Sequence, residues 1–433
     1  MSETTCAPAT FGQLYVLRHH SLPGNAGGFP GNQAYVCPIP PSASLIQAQT
    51  AWHKVVQNNE ALRTTFDLSA PRPTQLVHAY DAGAELPCYD LEGDGSDAAW
   101  DRATELAARP IAVGSEFPVR AFIGLESGRP SRLGFAVHHA AADHTGVLNI
   151  EGQFKAALGG GALEPVGQPS ALARDQQDKL GQHEQTIKFW AERWGGYSVQ
   201  DPAGADTSPR HRAHLYTRAG MRAAAAVSAD LGVSLQSVVL AVTNIVVGRL
   251  IGRRDFTVGL VAGNRFEPRW ADTVTSMFQT APVLVEADPA LPSAAFLRET
   301  AVGSYEAYMN GLYDVDRLRA RLAADGVVQP GLLFDTYFSF LGDSGDEIDD
   351  DHPWSHSVEV SALPVRVGPR LQFRIATGPG MHIQLRASED FVPPERLGAA
   401  AASIEAGLVS LAEQRPSRVG GIRLDPIRRV VPA

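Results

Sequence analysis

His138-His139-Ala140-Ala141-Ala142-Asp143-His144-Thr145-Gly146 sets two imidazoles and a carboxylate between an apolar run and an amphipathic stretch. Before it, Arg132-Leu133-Gly134-Phe135-Ala136-Val137 reads as a buried strand; after it, Val147, Ile150, Phe154 and Leu158 recur at the spacing of one helix face. The histidines therefore stand at a strand end, where a rigid element can aim side chains into a crevice. Imidazole takes up and returns a proton near neutral pH, and a placed base is worth ~10²–10⁴ in rate. The residues alone leave two readings open, a proton-transfer site or a pair of satisfied structural histidines. Asp143 is spaced so that the chain can turn back and hold either the loop or an imidazole.

Outward from this stretch, the pattern alternates between strand and helix in both halves, which predicts mixed α/β layers. Ser44-Leu45-Ile46-Gln47 has capping-box form and leads a helix with Leu45, Ala48, Trp52 and Val55 or Val56 on one face. Glycine and proline cluster from Leu158 to Pro169, and the lobe boundary is expected there, giving units of residues 1–165 and 166–433. The second unit is read as an apolar helix around Leu235 to Leu250, a strand from Asp255 to Leu260, a strand from Met381 to Leu385 and a helix from Pro394 to about Glu413. The acidic run Gly342 to Asp351 is expected as an exposed loop, and its spacing does not follow a calcium loop.

Further segments fall in a recognisable order. Asn59-Glu60-Ala61-Leu62-Arg63-Thr64-Thr65-Phe66, the Asn264-Arg265 turn, Val274-Thr275-Ser276-Met277-Phe278-Gln279-Thr280-Ala281-Pro282-Val283 and Leu333 to Phe340 accompany the His-His-x-x-x-Asp stretch. Together they resemble the condensation-domain superfamily of nonribosomal peptide synthesis, which includes the chloramphenicol-acetyltransferase-like acyltransferases. The resemblance implies an α/β fold, a mixed α+β sandwich of two such lobes forming a V-shaped pseudodimer with a tunnel between them. It also implies direct acyl transfer, in which an amine or alcohol attacks a carrier-bound thioester without an enzyme nucleophile.

The same resemblance assigns roles. His139 would take the proton of the acceptor, His138 would support the loop, and Asp143 would be structural, paired with Arg265 across the two lobes. Gly146, Gln279 and Ser339 are substrate-binding candidates, Ser339 being equally compatible with facing away from the tunnel. Arg63 is expected to tie backbone together rather than touch substrate. The sequence departs from the family at His144, where Gly is usual and a side chain would narrow the thioester's route, and at Gln279, where Asn is usual. No permanently bound cofactor is implied: the donor arrives on the phosphopantetheine of an acyl or peptidyl carrier protein in trans, or on coenzyme A. The expected acceptor is a small-molecule or carrier-bound amine or alcohol. The resemblance reads as a free-standing condensation enzyme; a coenzyme A-dependent acyltransferase of the same superfamily and an inactive, partner-recruiting condensation-like module are the alternatives.

Composition narrows the classes. With 433 residues, 44% of them hydrophobic and 19% charged, the chain can bury a large core and is not of the disordered type. A net charge of -10 argues against general nucleic-acid binding, because neutralising phosphates needs clustered Lys and Arg. The densest basic stretch, Arg210, His211, Arg212, Arg218 and Arg222, is either a docking patch for an acidic carrier or a solvated loop and helix face. No apolar run reaches the ~20 residues of a membrane span and the start lacks a signal-peptide pattern, so no membrane partner and a cytoplasmic location are expected. Cys6, Cys37 and Cys88 are odd in number and lack zinc-site spacing, so no metal site is expected. Phosphate-loop, nucleophile-elbow and zinc-helix motifs do not occur.

Overall fold

The structure is a computed structural model and describes residues 4–20, 31–81, 83, 86–91, 95–194, 208–326, 334–343, 357–363, 368–424 and 430–432. The chain forms a mixed α+β fold with two compact units. The first comprises Met1–Gln185, Gly263–Gln279 and Tyr313–Arg317, and the second comprises the rest. The division thus falls after Gln185 rather than at the expected 165, and two later segments join the first unit. The Gly/Pro stretch is an irregular connection, but the chain beyond it is tied back: Gln168 donates to Asn58 O at 2.9 Å and the Phe11 amide donates to Gln176 Oε1 at 2.9 Å.

The first unit opens with β1 (Thr5–Pro8), α1 (Phe11–His20), β2 (Asn32–Pro38) and α2 (Leu45–Asn58). It continues through β3 (Thr64–Asp67), β4 (Thr74–Val77), β5 (Cys88–Asp90), α3 (Gly95–Ala108), β6 (Val119–Glu126) and β7 (Arg129–His138). Two more helices, α4 (His144–Leu158) and α5 (Pro169–Asp178), come next, and the boundary falls within α6 (Leu180–Trp194). The capping box predicted at Ser44 and Gln47 is present at the start of α2. A second one caps α1: the Thr10 amide donates to Gln13 Oε1 at 2.9 Å, and the Gln13 amide to Thr10 Oγ1 at 3.1 Å.

Strand β7 lies inside a four-stranded sheet ordered β2-β7-β6-β5. Its run lacks alternation because both faces are covered. Leu133, Phe135 and Val137 join a core with Trp52 and Val55 of α2 and Ile150 and Phe154 of α4. Ala136 turns the other way, toward Phe122 and toward Ala103 and Leu106 of α3. Gly134 is needed there, since a Cβ would fall 2.2 Å from the Phe122 ring. From Leu133 onward strand β7 is buried without interruption, and its last residue is His138.

The second unit carries β8 (Arg210–Thr217), α7 (Arg218–Leu231), α8 (Leu235–Ile251), β9 (Asp255–Ala262), β10 (Gln279–Glu286) and α9 (Ser293–Met309). After α10 (Val315–Ala324) come β11 (Thr336–Asp343), β12 (Val358–Leu363), β13 (Leu371–Thr377), β14 (Met381–Ser388), α11 (Pro394–Gln414) and β15 (Val430–Pro432). Its eight-stranded sheet runs β10-β9-β11-β13-β14-β8-β12-β15. Strands β13 and β14 alternate: Leu371, Phe373, Ile375, Met381, Ile383 and Leu385 are buried, while Gln372, Arg374, His382, Gln384 and Arg386 are half-buried. Helix α8 is buried without interruption from Ser237 to Gly248, the signature of an interior helix. Among the described residues no single helix is long and apolar enough to cross a membrane.

Of the two readings of the basic stretch, the helix face holds for Arg218 and Arg222 on α7, half-buried and exposed respectively, but the first three residues are not a solvated loop. Arg210, His211 and Arg212 lie on β8, an internal strand between β14 and β12, and Arg210 is buried, donating to Gly368 O at 2.8 Å and Pro369 O at 2.6 Å. Strand pairing accounts for the difference, since it turns alternate side chains inward. Most of the acidic run lies outside the described residues.

Candidate active site

Strand β7 ends at His138, and the chain turns through Ala140 and Ala141, both buried, before Asp143 caps α4. His138 is 4% exposed and accepts the Ala140 amide on Nδ1 at 3.1 Å. Burial, reinforced by the neighbouring His139, pushes its pKa down to about 3. His138 is therefore a neutral group inside the turn.

His139 differs in every respect. It is half-buried, and its Nδ1 lies 3.2 Å from the Ala142 carbonyl oxygen. A carbonyl only accepts, so Nδ1 carries the hydrogen and Nε2 is the basic nitrogen of the neutral ring. The imidazole also lies against the Phe278 ring, with centroids 4.4 Å apart and planes inclined by 22°.

The Asp143 carboxylate is consumed by structure. Oδ1 accepts the Gly146 amide at 2.9 Å and Arg265 at 2.7 Å; Oδ2 accepts Arg265 at 2.7 Å and the amides of Met277 at 2.9 Å and Phe278 at 3.1 Å. Burial opposes its ionisation, but the Arg265 charge and these hydrogen bonds outweigh it and hold the carboxyl below the usual carboxylate range. Of the two uses left open by spacing, Asp143 holds the loop. Both partners of the ion pair belong to the first unit, whereas the resemblance set them in different lobes. Asn264, in the left-handed region at φ 52°, lets the Asn-Arg turn form and donates to Met277 O at 2.9 Å, so the Met277 peptide is held on both sides.

The remaining candidates separate. Gly146 is buried, and a Cβ there would lie 3.1 Å from Thr275 O, so the glycine permits close packing of α4 on the 273–278 segment. Gln279 is fully buried: its Nε2 donates to Tyr313 O at 2.7 Å and its Oε1 accepts the Tyr313 amide at 3.2 Å. The amide thus clamps one backbone position instead of lining a pocket. Ser339 is buried on β11, in the second unit. Arg63 donates to His78 O, the backbone tie expected. His144, which stands where the family has Gly, is half-buried as the first residue of α4.

Sequence reasoning missed the stacked Phe278. It lies between Met277 and Gln279 in a segment that carries the family resemblance, and only its aromatic character hinted at a role.

Comparison with known proteins agrees with this geometry. The Condensation domain family model matches residues 32–361. Fumosorinone synthetase of Cordyceps fumosorosea is 27% identical over 354 residues, covering 74% of this chain and 8% of that protein. The chain spans only 6% to 8% of the length of the first three curated relatives it matches. The condensation domain of the Monacolin K polyketide synthase MokA superposes with a TM-score of 0.80 at 17% identity, covering 97% of this chain and all (100%) of that one. A structure describing condensation domain-mediated chain release from the enacyloxin polyketide synthase gives 0.74 at 18% identity, covering 96% and 84%. A His-His-x-x-x-Asp turn locked by Arg265, on a fold shared with these structures and within a family match over most of the chain, leads to one conclusion: the protein belongs to the condensation-domain family.

Proposed function

We propose that the protein joins an acyl or aminoacyl group, carried as a phosphopantetheine thioester on a carrier protein, to an amine or alcohol, forming an amide or ester. The observation that carries this reading is the Nδ1 hydrogen bond of His139 to Ala142 O, which makes Nε2 the basic nitrogen at the end of a rigid strand. The acceptor nitrogen or oxygen attacks the thioester carbonyl while its proton passes to His139 Nε2. The tetrahedral intermediate then collapses, the carbon-sulfur bond breaks, and the leaving thiolate takes the proton. No enzyme nucleophile takes part, so catalysis rests on placement and proton handling. His138, neutral and buried, and Asp143, ionised and saturated, keep the turn that presents His139. The three free thiols, Cys6, Cys37 and Cys88, suit a reducing compartment such as the cytoplasm.

The test is intact-protein mass spectrometry of acyl-loaded carrier proteins mixed with amine and alcohol acceptors, comparing wild type with His139→Ala. Acyl loss and product formation that need His139 are expected. Turnover with acyl-coenzyme A alone would reassign the donor, and equal turnover by His139→Ala would remove His139 from the reaction.

A further inference from the structure

Resting on that reading of His139, we propose that Phe278 is a positioning residue for the base: its ring sets the plane of the imidazole, and it is itself set by Asp143. The hydrogen bond from Nδ1 to Ala142 O, at 3.2 Å, fixes one edge of the His139 ring, and a bond at an edge by itself permits rocking about its own axis. A flat surface 4.4 Å away, inclined by 22°, opposes this motion. The lone pair on Nε2 lies in the imidazole plane. Covering a face therefore does not block the edge that receives the proton, and that edge keeps its direction.

Phe278 can act in this way because it is held firmly in turn. Its amide donates to Asp143 Oδ2 at 3.1 Å. Its ring meets Tyr15 edge-on, with centroids 5.7 Å apart and planes at 82°, and Tyr15 is 1% exposed. Gly12 brings α1 onto the same segment: a Cβ there would sit 2.2 Å from Ser276 O, so no side chain intervenes. The Asp143-Arg265 pair thus reaches the His139 ring through the Phe278 backbone and side chain.

Phe278→Leu and Phe278→Tyr test this in the full chain, with the carrier and acceptor pair that wild type turns over. The expected result for Phe278→Leu is a fall in kcat of roughly tenfold with KM within about twofold, an unchanged melting temperature, and recovery in Phe278→Tyr. Free of any substrate, the His139 Cε1 proton in Phe278→Leu should lose the ring-current shift that a stacked benzene ring imposes. A raised KM with unchanged kcat would make Phe278 a substrate wall and overturn the inference, as would an unmoved His139 resonance. Full activity of Phe278→Leu beside inactive His139→Ala would sink this inference alone; an active His139→Ala would instead sink the reading of His139 as the base.

Discussion

Asp143 and Arg265, 122 positions apart in the chain, form a two-pronged ion pair with both contacts at 2.7 Å and side chains only 5% and 9% exposed. Such a pair is costly to break because the survivor keeps a buried charge. Asp143→Asn and Arg265→Ala should each cost about 3–5 kcal/mol in urea unfolding, and the double variant less than the sum. Strict additivity would show that the two groups do not support each other.

His138 gives the fold an acid limit. Its pKa is about 3 in the folded protein against an ordinary 6.5, so between these values the unfolded chain binds a proton that the native one refuses. Stability attributable to this group is therefore complete above about pH 6.5 and declines as pH falls toward 3. From pH 7 to pH 5 the loss is about 2 kcal/mol. Denaturant melts of wild type and His138→Gln at both values should show this difference in wild type and little of it in the variant. A buried His138 that cost nothing at pH 5 would have to be protonated in the native state.

Gln279 separates structure from selectivity. Removing its amide leaves the Tyr313 amide and carbonyl without their side-chain partner, so Gln279→Ala should lose about 1–3 kcal/mol of stability. The ratio of products from a mixed acceptor pool should stay as in wild type. A changed product ratio at unchanged stability would restore Gln279 to the substrate pocket.

Local signals read truly where a single element decides the outcome. The apolar run before His138 is β7, Asp143 caps the helix whose apolar face holds Val147, Ile150 and Phe154, and the Ser44-Gln47 box opens α2. Interactions set by tertiary pairing were not legible. Nothing near Gln279 reveals that its amide meets a backbone 34 positions later. The charged look of Arg210-His211-Arg212 hid an internal strand, because pairing partners, not local polarity, decide which side chains turn inward. The Gly/Pro break was real but did not divide the units, since α5 is fastened back onto the first of them. His139 was identified by its neighbours in sequence; the flat partner that steadies it, Phe278, comes from a distant length of chain.

The first unit is assembled from three separate lengths of chain, and this bears on how the protein is born. Asp143 leaves the ribosome long before Arg265, Met277 and Phe278, which emerge 122 to 135 positions later. At ~5–20 residues per second, it waits on the order of ten seconds with the nearby Gly146 amide as its local partner. During that interval the turn after β7 stays hydrated, because closing it would strand a bare carboxylate in the interior. The end of the strand is thus among the last parts of the first unit to settle, and it does so when the 263–279 length arrives.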